Sequence, residues 1–321
     1  MLYNTKLLSV VFIGLFALYA ITKVVKSNQG SRSFKTQIAS VDTAQVQTIA
    51  LYPQIAQQKE IKFVRGKQGW VAQQGKTQAM AESGKISALL ADLRSVKPQR
   101  LVANDASKWA TYQLTDSLCT RVKLLGNNGQ ELMTLLIGKA GTGGESFVRL
   151  PNDQEVYAIG SFLAANANKG FNDWRNQEVL KFNLPSINKI SFKYPADSSF
   201  TLIKENSTWK MGEAIADSAL VIQYLGSISA KRSNQFVDGF TPQKQPDFIL
   251  ELSGTSPVAG APNARFIVQG FAANNEVYIR TSVNPSALFV GKTSGLFDTI
   301  FKAKGDFLKK EPVDEEKKDN N

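Results

Sequence analysis

The feature that most constrains this chain is an internal repeat. Ile61, Phe63 and Trp70 recur as Phe200, Leu202 and Trp209, each 139 residues further on. In both places residues of alternating polarity lead into a short polar or glycine-containing turn and a tryptophan on the returning side, the pattern of two strands joined by a tight turn. An amphipathic helix is predicted after each tryptophan, with Ile86, Leu89, Leu90 and Leu93 in the first copy and Val221, Tyr224, Leu225 and Ile228 in the second. The i, i+3, i+4, i+7 spacing gathers each set onto one side of a helix. There the offset is 135, so the loop before the helix is four residues shorter in the second copy, and the apolar pairs Leu101-Val102 and Phe236-Val237 keep that spacing.

Alternating segments follow around Val122 and Leu124, Leu135 and Ile137, and residues 147–149 (FVR), mirrored around Leu250 and Leu252, Ile267 and Val268, and residues 278–280 (YIR). Residues 147–149 map onto 278–280 at an offset of 131, and residues 156–159 onto 287–290 at the same offset. The expected fold class is α+β: two tandem copies of a module with antiparallel strands, one amphipathic helix and a short terminal helix near 160–168 and 295–301, preceded by one transmembrane helix. The expected domains are an anchor with its flanks at 1–26, a linker at 27–44, modules at 45–183 and 184–308, and a charged tail at 309–321. Pro185 punctuates the join between the modules. The tail, KKEPVDEEKKDNN, has Val313 as its one large apolar residue and cannot bury enough surface to order itself.

Residues 7–21 (LLSVVFIGLFALYAI) are uncharged and almost wholly apolar, and the run reaches about 19 residues if Lys23 snorkels and Val24 and Val25 are counted. Cleavage after Ala20 would set Leu18 where a signal peptidase wants a small residue, which favours a retained signal anchor. Orientation has two readings. Lys23, Lys26, Arg32 and Lys35 outnumber Lys6 and the terminal amine, which by the positive-inside rule puts the body in the cytoplasm. An apolar segment with a very short tail before it instead acts as an export signal, and the following SNQGSRS is typical of a solvated tether. The expectation is a single-pass protein of the inner membrane with a periplasmic body.

The net charge of +11 does not by itself call for nucleic acid. Residues 1–41 hold five of those charges and no acid, and the rest is spread thinly, with no basic run interleaved with aromatics. The absence of histidine is more informative. It removes Ser/His/Asp triads, Cys/His pairs, imidazole metal ligands and imidazole proton shuttles. The single cysteine, Cys119, cannot form an intramolecular disulfide, a redox pair or a thiolate zinc site, and its alternating surroundings suit a small core residue.

An apolar N-terminal anchor, Trp70, the LLADL run at 89–93, FVR at 147–149 and VYAI at 156–159 together resemble the domain of unknown function family 4340. Trp209, Ala216-Asp217 and Tyr224-Leu225 carry the same resemblance in the second copy. It extends over most of residues 45–301. The resemblance implies a bacterial envelope protein with one N-terminal anchor, working beside ABC-type transport systems, including those linked to gliding. It carries over no catalytic residues.

Other motifs have duller explanations. Residues 290–293 (VGKT) look like the end of a phosphate-binding loop, but the required first glycine falls at Ser286, so a strand-to-helix turn is expected. Gly141, Gly143 and Gly144 lack dinucleotide spacing and suit a hairpin connection. Trp70 and Trp209, in phase with the repeat, are expected in the cores rather than against a ligand. Glu82, Asp92, Asp173 and Glu178 are the carboxylates a glycosidase would draw on, and each is expected on a solvated face or loop. Arg149 and Arg280, at matched strand positions, are expected as edge charges.

No catalytic, cofactor or metal site is therefore assigned. The expected function is a non-enzymatic, membrane-anchored extracytoplasmic interaction module, accessory to an ABC-type transport or gliding-related envelope complex. Its partners would be the membrane and transporter subunits or other envelope proteins, and not nucleic acid. The alternatives are a carboxylate-dependent envelope hydrolase and a structural spacer.

Overall fold

The computed structural model of the protein describes residues 12–17, 19, 35–255 and 263–309. The chain is mainly antiparallel β-sheet with few helices, an α+β arrangement. The first half contains β1 (Ala39–Ser40), β2 (Thr48–Tyr52), β3 (Ile61–Gly66), β4 (Gly69–Gln74), β5 (Thr77–Met80), α1 (Ser83–Arg94), β6 (Ser95–Val96), β7 (Arg100–Ala103), β8 (Thr120–Leu125), β9 (Glu131–Ala140), β10 (Ser146–Arg149), β11 (Val156–Ile159), α2 (Leu163–Ala167) and α3 (Phe171–Trp174). The second half contains β12 (Ile187–Lys193), β13 (Phe200–Glu205), β14 (Thr208–Met211), β15 (Ala214–Ile215), α4 (Ser218–Ile228), β16 (Phe248–Gly254), β17 (Ala264–Ala273), β18 (Glu276–Thr281), β19 (Phe289–Val290) and α5 (Leu296–Ile300).

One large sheet has the order β5-β4-β3-β2-β8-β9-β10-β11-β7, the other β15-β14-β13-β12-β16-β17-β18-β19. Strand for strand the orders agree, with β7 added to the first; in the second, a single bridge between Phe236 and Phe289 stands in its place. Trp70 pairs with Arg65, and Trp209 with Lys204, in the same register. The last strand departs from the expected spacing. Tyr157 lies opposite Val148, whereas Phe289 lies opposite Ile279, an offset of 132 instead of 131. The connection between those two strands is one residue longer in the second half.

Alternation explains which face is buried. In β8 every second residue from Thr120 is buried, and Val122 and Leu124 join Ile49, Leu51, Ile61 and Phe63 in the first core. Helix α1 lays Ile86, Leu89, Leu90 and Leu93 on that core; α4 does the same with Val221, Tyr224, Leu225 and Ile228 over Ile190, Phe192, Leu202 and Leu252. Each such buried side chain stabilises by roughly 1.5–3 kcal/mol, so the helices are held by their sheets rather than by propensity. The Asp217 carboxylate caps α4, accepting from the N–H groups of Ala219 at 2.9 Å and Leu220 at 3.3 Å. Glu82, in the matching place before α1, makes no cap and pairs with Arg232 instead.

The opposite faces of the two sheets differ. In the first, residues 104–119 fold back over the sheet and close a smaller apolar cluster of Leu114, Cys119, Leu136, Phe147, Val156 and Ala158, with Trp109 and Tyr112 against it. Gly138 makes this possible, since a Cβ there would stand 2.1 Å from the Tyr112 carbonyl oxygen. The connection in the corresponding place of the second half, residues 238–247, is shorter; it sets Phe240 4.3 Å from the Tyr278 ring and leaves Lys189, Lys193, Ile203 and Arg265 exposed on that face.

The ordered first half begins inside the expected linker, because Ile38 is buried in the first core and β1 pairs with β6. Likewise Val179 and Leu180, before the expected join, already belong to the second core. Of the apolar run at 7–21, residues 12–17 are helical with exposed side chains, and the remainder apart from Tyr19 lies outside the described residues. Among the described residues, no helix is long and apolar enough to cross a membrane. The tail beyond Lys309 also lies outside them.

Candidate functional site

Two tyrosines take up carbonyls at the end of helix α5 and just beyond it, where the helix itself offers no partner. The Tyr224 hydroxyl donates to the Ile300 carbonyl at 2.7 Å, and the Tyr194 hydroxyl to the Lys302 carbonyl at 2.6 Å. Burial pushes both phenols well above their ordinary range, so they remain donors at any physiological pH. These bonds hold Phe297 and Phe301 beside the turn between β12 and β13. In that turn Ala196 and Asp197 have φ of 54° and 57°, a left-handed pair that costs non-glycine residues energy.

Between turn and helix opens a cavity of about 490 Å³, lined by Tyr194, Asp197, Ser199, Phe297, Phe301 and Lys304 among others. The Phe297 and Phe301 rings are 5.0 Å apart, and Tyr194 meets Phe301 edge-on at 6.2 Å. Such a cleft takes an apolar or aromatic group against its rings and offers hydroxyl and ammonium groups at its rim. Between α2 and the connection after β2 in the first half, the cavity is smaller, about 240 Å³, and is lined by Gln54, Ala164, Ala165 and Asn168 rather than by aromatics. There the Asn168 side chain accepts from the Ile55 N–H at 2.9 Å and ties the two walls together.

The turn at 290–293 does cradle an anion, but the anion is the protein's own. The Glu276 carboxylate accepts from the Lys292 N–H at 2.5 Å, the Thr293 N–H at 3.1 Å, the Val277 N–H at 2.8 Å and the Thr293 hydroxyl. Burial pushes this carboxyl up, but the Thr293 hydroxyl and the three backbone donors outweigh it and hold the group at about 2.

Three of the four carboxylates singled out in the sequence meet at the joint between the sheets, each already engaged. Glu82 pairs with Arg232, Asp173 accepts from the Gly170 N–H at 3.1 Å, and Glu178 binds Lys181 at 3.1 Å. Asp92 is apart from them, on α1, near the Asn166 amide. Asp153 and Glu155 converge on the Lys35 ammonium at 2.5 and 3.2 Å. Burial pushes Asp153 up, yet the Lys35 hydrogen bond wins and lowers it, the opposite of what a general acid needs.

Trp209 is buried, whereas Trp70 is half-buried with the Arg65 guanidinium 4.9 Å from its ring. Cys119 is fully buried, and burial raises its thiol. The glycines at 141–144 form the β9–β10 connection, with Gly143 and Gly144 at positive φ. Arg149 is not an edge charge. It sits on an interior strand with its side chain 2% exposed, stacked 3.6 Å from the Trp109 ring, and its Nε donates to the Leu114 carbonyl at 2.9 Å. Arg280 lies on the corresponding interior strand, 5.6 Å from the Phe271 ring.

The sequence reading missed Tyr194, Phe297 and Phe301 because the repeat drew attention to what the halves share. The cleft is where they differ. The i, i+4 spacing of Phe297 and Phe301 was the available signal.

The fold and its surfaces define a mainly antiparallel α+β protein carrying two helix-backed sheets. The chain belongs to the family described as a domain of unknown function (DUF4340), whose profile matches residues 73–251, from within β4 to within β16. Neither a curated protein nor a solved structure matches it.

Proposed function

We propose that this chain is an interaction module built from two copies of one unit, anchored in the membrane by residues 7–21 with its body outside the cytoplasm, and accessory to an ABC-type transport or gliding-related envelope complex. The observation that carries this reading is the open aromatic cleft at Tyr194, Phe297 and Phe301, beside titratable groups that are spent on structural pairs. Asp197 is the one carboxylate lining that cleft, and a glycosidase would need two across it. The common strand order, the matched tryptophan register and the helices bearing equivalent apolar sets support duplication. The apolar run supports the anchor.

A photo-crosslinking residue in place of Ser198, which also lines the cleft, tests the docking. In detergent-solubilised membranes it should capture a permease subunit, and Phe301→Ala should abolish the adduct. Recovery of the chain only as a free monomer, with no adduct, would favour a spacer. Reporters active only after export, fused after Arg32 and after Asn321, should both give signal; two silent reporters would place the body in the cytoplasm.

A further inference from the structure

Arg280 has an unmet hydrogen-bonding demand that its counterpart does not share. In the first half, residues 104–119 complete the environment of Arg149. The Trp109 ring covers the guanidinium, the Leu114 carbonyl takes Nε, and the Asp116 carboxylate stands 3.7 Å from Nη2. In the second half the shorter connection sets Phe240 4.3 Å from the Tyr278 ring, and no carbonyl or carboxylate of it bonds to Arg280. Phe271 lies against Arg280, the Nε is buried, and among the described residues the guanidinium has no hydrogen-bond or ion-pair partner. The guanidinium therefore carries its charge with no partner among the described residues, and an acceptor arriving on the open face would meet its Nη groups, which are not among the buried unpaired atoms.

The surroundings state what acceptor fits. Strand pairing sets Lys193, Ile249, Gln269 and Arg280 in one row across β12, β16, β17 and β18, all on the face away from α4. Lys193 is exposed, and the other three are partly exposed. Two cations thus end a row whose middle is apolar and amide. Three inter-strand steps span roughly 14 Å, which an extended peptide covers in about four residues. Side chains four apart in an extended chain point the same way.

We propose that this open face binds an extended acidic segment of a partner protein, with two carboxylates about four residues apart on Arg280 and Lys193 and an apolar side chain between them over Ile249. The segment does in trans what residues 104–119 do for Arg149 in cis. This surface is separate from the Tyr194 cleft, and the inference stands whether or not that cleft binds a permease.

The probe is a labelled synthetic peptide with the core Glu-Ala-Trp-Ala-Glu, titrated by fluorescence anisotropy against the full chain in detergent at low salt. It should bind, and a core with the acids two apart or replaced by glutamine should bind about tenfold more weakly, as expected for one lost charge-assisted hydrogen bond. Arg280→Gln and Lys193→Gln should weaken it by a similar factor, and Arg121→Gln on the first sheet should leave it unchanged. Because Arg280 also packs, Gln269→Glu is the second variant: it places a carboxylate directly opposite Arg280 and should block the peptide without lowering the melting temperature. Equal affinity for all variants, or no binding up to millimolar peptide, would overturn the assignment. So would a dimer by sedimentation that Gln269→Glu dissolves while no peptide binds, since a second copy would then own the face.

Discussion

Arg149 and Arg280 show how one residue type at matched positions has two energetic meanings. Arg149 also donates through Nη1 to the Leu150 and Pro151 carbonyls at 3.3 and 3.1 Å, so removing it breaks three bonds and strands the buried Leu114 carbonyl. Arg149→Met should cost about 3 kcal/mol in urea unfolding, and Arg280→Met under about 1 kcal/mol, because the latter breaks no polar bond. Glu276 is an anion held charged. Its folded-state value of about 2 lies below the ordinary 4.5, so its contribution is complete above about pH 4.5 and is lost as pH falls towards 2. Since the side chain is only partly buried, that contribution is screened to about 1 kcal/mol. Glu276→Gln should therefore lower stability by that amount at pH 7 and by almost nothing at pH 2. An equal loss at both would show that the geometry of the turn matters and the charge does not.

The two amphipathic helices use the same apolar spacing but begin differently. Asp217 satisfies two orphan N–H groups of α4, while Glu82 gives its charge to Arg232 across the joint. Asp217→Ala should cost about 1 kcal/mol and speed amide exchange at Ala219 and Leu220. Glu82→Ala should leave exchange in the first turn of α1 unchanged. On the packed face, Leu90→Ala should cost 2–5 kcal/mol, about as much as Leu225→Ala, because each leaves a cavity between helix and sheet. If only one of the pair were costly, the helices would not be equivalent supports.

The two sheets are joined through residues 174–180, whose backbone bonds first to Met80 and Glu82 and then to Lys231 and Ser233. Arg175 is the fastening of this joint. Its side chain is 3% exposed, stacks 3.8 Å from the Phe236 ring and 5.4 Å from Phe171, and pairs with Asp238 at 2.9 Å. Those contacts come from both halves, so they couple the two cores in unfolding. Wild-type protein should melt in one calorimetric transition, and Arg175→Ala should split it into two, having removed about 3 kcal/mol of coupling. A single transition displaced downwards would place the coupling elsewhere.

The sequence by itself determined the elements. Alternation at Val122 and Leu124, helical spacing at Ile86 to Leu93 and the matching patterns of the two halves report local geometry and a one-sided core, and both are written in neighbouring residues. Family membership was legible from those same packing patterns. The tertiary structure alone decided which faces stay open. Residues 104–119 bury Arg149 because Gly138 lets their backbone approach the sheet, while Phe271 stands in the matching register. The joint at Arg175 and the cleft at Tyr194, Phe297 and Phe301 likewise bring together side chains up to 107 residues apart. Contacts over such separations depend on how sheets and loops stack, which no periodicity in the chain records.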